Sequence, residues 1–162
     1  MRLLLLGDAS KWLRAHRRDA GYPFDLELLD TVPHASIPAM LIRSDMLLLY
    51  CPEKLRLALP AKMFEYLRSG VPIFAVVPPG SELAGVLERT GGGVIVQSED
   101  VGQIAGALER CYQSWEAGAS LHDPVEPEIC NYDVRQLTQR LASLFDEVSS
   151  GVKKAGITAG AP

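Results

Sequence analysis

The run Ile73-Phe74-Ala75-Val76-Val77 constrains the chain most. Pro72 opens it and Pro78-Pro79-Gly80 closes it, so the run cannot extend into a long helix. A strand that is apolar at every position is buried on both faces, which is how central strands of parallel sheets read. Its flanks carry the crossovers that such strands need. Upstream, Pro60 suits the first turn of a helix, and Met63, Phe64 and Leu67 follow at helical spacings. Gly70 supplies the left-handed stop. Downstream, Ser81 is placed to cap a helix through Leu87, Gly91-Gly92-Gly93 breaks it, and Val94-Ile95-Val96 forms the next strand. Residues 59–97 therefore read as helix, strand, helix, strand. Lys62 and Glu65 lie three apart, on one face of the first of these helices.

The remainder repeats the alternation. Residues 3–6 are an apolar strand, and Gly7 opens the turn after it. A helix is expected to about Ala20, with Trp12, Leu13 and His16 on its inner side, before Gly21-Tyr22-Pro23. Residues 24–29 alternate apolar and acidic, the pattern of a half-exposed strand near a sheet edge. Ser36 is placed to cap a short helix through Ile42. Residues 46–50 read as another doubly buried strand, and residues 51–59 as a loop. A helix follows from Val101 to Trp115, with Asp100 and Gln103 spaced as a capping box. Asp133 and Gln136 repeat that spacing before a last helix. Leu137, Leu141, Leu144, Phe145 and Val148 form one stripe along it. The Gly/Ala-rich residues 151–162 read as a disordered tail. The fold class is α/β, a Rossmann-like or flavodoxin-like doubly wound parallel sheet of about five strands in one domain, residues 1–150.

At 162 residues the chain buries about 70% of its unfolded surface, enough for one core. A net charge of −4 without a basic tract argues against a nucleic-acid partner. Cys51, Cys111 and Cys130 are odd in number and lack CxxC spacing, so they read as reduced cytosolic thiols. The apolar start stops at Gly7-Asp8, too short for a signal peptide. His16, His34 and His122 show no metal-ligand spacing, and no metal is expected.

The segments PAKMFEYLRSGVPIFAVVPPGSELAGVLERTGGGVIV and SEDVGQIAGALER, preceded by LLLLGD and LLDTVPHASIPAMLIRSDMLLLY, resemble a known family. In order and spacing they are similar to the nucleotide-sugar-binding half of GT-B glycosyltransferases, nearest to the retaining enzymes of family four. The resemblance covers roughly residues 2–148. It implies that Glu65 holds the ribose hydroxyls of a nucleotide sugar. Lys62 and the helix start at Pro60 would then face its diphosphate, aided by free amides and the helix dipole. It also implies that Gly7 lets backbone approach phosphate and that Val32 and Pro33 meet the base. The donor is a substrate, so no cofactor is expected. The acceptor, a glycan or lipid, would be held by a further domain or partner chain, and the setting would be cytoplasmic or peripheral at the inner membrane face.

Two departures limit the reading. The second Glu of retaining members falls here on Leu57, with Glu53 nearby but out of register. The family's first strand and helix, which carry an Arg–Lys diphosphate clamp, have no counterpart, nor does its acceptor domain. Without that central strand the sheet is expected to close, placing the first strand against the third in the order 2-1-3-4-5. A second copy filling the slot, in a homodimer, is the alternative. The chain is thus expected to be a partial, isolated-inactive glycosyltransferase. The competing reading is a flavodoxin-like binding module that has lost the chemistry. A phospho-receiver domain would need an Asp at the end of the third strand, where Tyr50-Cys51-Pro52 stands.

Overall fold

The structure is a computed structural model and describes residues 1–16, 24–97 and 99–155. Strands and helices alternate as β1 (Arg2–Leu6), α1 (Asp8–His16), β2 (Asp25–Leu29), α2 (Ile37–Leu41), β3 (Leu47–Tyr50), α3 (Ala61–Ser69), β4 (Ile73–Val76), α4 (Glu82–Thr90) and β5 (Gly93–Val96). Then come α5 (Val101–Glu116), α6 (Glu126–Cys130) and α7 (Val134–Ala155). All strand pairs are parallel, so the α/β class holds. The chain divides into two compact units, residues 1–44 and residues from 45 onward.

In the first unit β1 pairs with β2 from Arg2–Asp25 to Leu6–Leu29. An ion pair between Arg2 and Glu27 joins the two strands, and Arg14 of α1 reaches Asp30 at 2.7 Å. In the second unit the strands run in the order β3-β4-β5. β4 is buried at every position, as its apolar run demands. Because side chains alternate along a strand, Ile73, Ala75 and Val77 pack with Leu49, Met63, Leu67, Leu83 and Leu87 from β3, α3 and α4. Phe74 and Val76 face the other way, against Val96 and against Ala107 and Cys111 of α5. Full burial of side chains such as Phe74, Leu49 and Met63 contributes about 1.5–3 kcal/mol each.

The helix boundaries follow local chemistry. Gly70 ends α3 at φ 68°. The Ser81 side chain accepts from the Ala84 amide at the start of α4, and Asp100 from that of Gln103 at the start of α5. Asp133 accepts the Arg135 amide at 2.8 Å as α7 begins.

Within each unit the pairing follows the expected order, β1 beside β2 and β3-β4-β5. Three expectations need correction. β3 is not doubly buried, since Leu47 and Leu49 are inside while Leu48 and Tyr50 are about half exposed. Ser36 makes no side-chain cap. It ends a 3₁₀ turn, His34–Ser36, which runs straight into α2 and leaves Ser36 in helical geometry rather than the extended form a cap adopts. Finally, residues 151–155 continue α7 instead of beginning a tail. A 22-residue helix carries its hydrogen-bond ladder through Gly151, whose helix penalty is only about 1 kcal/mol. The expected end of α1 at Ala20 and the break at 21–23 lie outside the described residues.

Candidate functional site

Parallel strands end on one side, so the loops after β3, β4 and β5 share the C-terminal edge of the second unit's sheet. They are tied to one another there. The Arg56 guanidinium donates to the Pro79 carbonyl at 3.2 Å, and the Glu82 amide donates to the Arg56 carbonyl at 3.1 Å. The Gly80 amide donates to the Gln97 side chain at 3.2 Å, and Gln97 donates onward to Glu88 at 3.1 Å.

Helix α3 starts from this edge. Met63 and Leu67, four apart, are its buried anchors, which turns Lys62 and Glu65 outward to solvent. Its N-cap is Pro60, extended at φ −67° and ψ 137°, and no side chain caps it. The Met63 amide closes onto the Pro60 carbonyl at 2.9 Å, leaving the amides of Ala61 and Lys62 at the open end. The positive end of the helix dipole and the Lys62 ammonium therefore coincide. Lys62 and Glu65 share a face of α3. Arg68 of the same helix pairs with Asp133 at 2.8 Å. Beside Glu65, the Tyr66 hydroxyl is pushed above its usual range, first by burial and then by the Glu65 charge.

The other predicted residues lie in the first unit. Gly7 follows β1 at φ 67°, and its amide donates to the Leu29 carbonyl at 3.2 Å. Any anion approaching there would meet the amides after Gly7, since its own is spent on β2. Val32 is half-buried and Pro33 exposed in the loop after β2, so they share the C-terminal edge of the two-stranded sheet with Gly7. Within the first unit Gly7 shares an edge with Val32 and Pro33, and within the second Lys62 shares a helix face with Glu65.

Leu57 is 78% exposed, and Glu53 is paired with Arg56 at 3.3 Å. His122 sits at the opposite end of α3, its Nε2 3.1 Å from the Gly70 carbonyl. Cys51 and Cys111 are buried and Cys130 exposed, all as free thiols. No His, Cys, Asp or Glu cluster able to hold a metal occurs among the described residues. Sequence reasoning passed over Arg56 and Gln97 as site residues. The signal for Gln97 was its place directly after the apolar strand β5, and for Arg56 only its place in the loop between β3 and α3.

Against family models, curated proteins and solved structures, the chain finds no match.

Proposed function

We propose that the chain is a nucleotide-sugar-binding module of the GT-B glycosyltransferase type, with a Rossmann-like, doubly wound architecture. The supporting observation is the first turn of α3. It presents two uncapped amides and Lys62 to an anion, with the Glu65 carboxylate one turn further on the same face. A diphosphate fits the amides and ammonium, and vicinal ribose hydroxyls fit the carboxylate. The acceptor, a glycan or lipid, would be held by a partner chain or further domain, in the cytoplasm or at its membrane face. No helix among the described residues is long and apolar enough to cross a membrane.

Binding is expected to be weak. The family's Arg–Lys clamp has no counterpart, and each lost charge-assisted hydrogen bond costs about 1.5–3 kcal/mol. Losing two or three takes an affinity of about 1 μM into the millimolar range or beyond. Ligand-observed NMR with UDP, GDP and ADP and their sugars tests this. Glu65→Ala should abolish the signal and Glu53→Ala should leave it. Binding tighter than about 10 μM that ignores Glu65→Ala overturns the site assignment, and turnover by the purified chain overturns the expectation that it is inactive alone. Exposed Leu57 in place of a second carboxylate favours one other reading, a binding module without transfer chemistry. Binding that persists without any transfer when acceptor and partner are supplied would select it.

A further inference from the structure

Along α7 the apolar residues Val134, Leu137, Leu141, Leu144 and Val148 follow one another at alternating spacings of three and four. That is the a/d repeat of a helix–helix seam, with Val134, Leu141 and Val148 at a and Leu137 and Leu144 at d. In a helix that served its own core this stripe would be covered. Here these side chains are 75%, 45%, 52%, 56% and 64% exposed, and neighbouring Phe145 is 62% exposed. The helix is about 33 Å long. Stripes from two helices would together bury on the order of 1,000 Å², the lower bound for a specific pair.

The charges indicate what covers the stripe. The g positions beside the seam read Asp133, Arg140, Glu147 and Lys154, alternating in sign. In a parallel pair g faces e, and the e positions Thr138 and Phe145 are uncharged. In an antiparallel pair g faces g. Setting Leu141 against Leu144 of a second copy, and Leu137 against its Val148, places Arg140 against its Glu147 twice by symmetry. Arg140 contacts Asn131 at 2.5 Å and keeps further N–H donors for a carboxylate. The polar flank carries both signs, Arg135, Arg140 and Lys153 with Asp146 and Glu147, whereas a membrane surface favours a uniformly basic one.

We propose that α7 is a self-association element: two copies of this chain pair antiparallel through their α7 stripes, with Arg140 of each opposite Glu147 of the other. The interface is isologous, as closed dimers require. Sedimentation velocity on the full chain across a concentration series tests it, with far-UV circular dichroism confirming that each variant stays folded. The wild type should shift from monomer to dimer with concentration. Arg140→Glu and Glu147→Arg each turn two attractive pairs repulsive and should weaken the dimer about tenfold. The double reversal should restore it. Leu141→Asp, at an exposed position outside the core, should abolish it. A monomer up to about 500 μM, or a dimer indifferent to the single reversals, or one that the double reversal fails to restore, overturns the proposal.

Discussion

At Gly93 the backbone of β5 runs so close to β4 that a side chain has no room. A Cβ there would lie 2.0 Å from the Ile73 carbonyl oxygen and 2.5 Å from its nitrogen, and φ is 155°. Both neighbours are backbone, so they cannot rotate aside. Gly93→Ala is expected to cost more than about 2 kcal/mol, since backbone strain of this kind runs to 1–3 kcal/mol before the clash is relieved. Urea denaturation reads it as a lower midpoint; an unchanged midpoint would show that the strands can part cheaply. Met63, fully buried beneath α3, gives a second measure: Met63→Ala should cost about 2–5 kcal/mol through the cavity it leaves. Among residues, the glycine break and the apolar anchors were legible in the sequence. The spent amide of Gly7 was not, because its acceptor Leu29 lies on another strand.

Elements begin where a cap satisfies their first amides. Ser81, buried, accepts the Ala84 amide at 3.2 Å, so Ser81→Ala should destabilise the fold by about 1 kcal/mol with α4 exchanging amide hydrogens faster. The start of α7 depends on pH. The Arg135 amide, and then the Arg68 guanidinium, hold the Asp133 carboxyl below its usual range. Its stabilisation is therefore complete above the ordinary carboxylate pKa and is lost as pH falls through that value and the lower folded one. Acid titration by circular dichroism should show α7 helix lost below about pH 4 in the wild type. Asp133→Asn should lack that step and begin with less helix at neutral pH. Both caps were legible from residue type and spacing, since a cap is made within one turn. Ser36 has the right residue type too, but the 3₁₀ turn before α2 holds it in helical geometry, where its side chain cannot cap.

On the scale of the molecule, core and units do not coincide evenly. Every fully buried apolar side chain among the described residues lies between Leu47 and Cys111, in the second unit. Residues 45–155 are therefore expected to fold alone with a cooperative thermal transition, while residues 1–44 alone should not. Calorimetry of the two pieces decides it, and a non-cooperative melt of residues 45–155 would show that the first unit completes the core.

The sequence alone determined the strand and helix alternation from β1 to α5, which strands are apolar, and that Lys62 and Glu65 share a face. These properties arise within a few residues, from side-chain period, proline, glycine and caps. Only the tertiary structure decided that β3 keeps Leu48 and Tyr50 half exposed and that the α7 stripe stands uncovered. The covering of an apolar face depends on what the rest of the chain brings to it, which is not written in the order of side chains along one element.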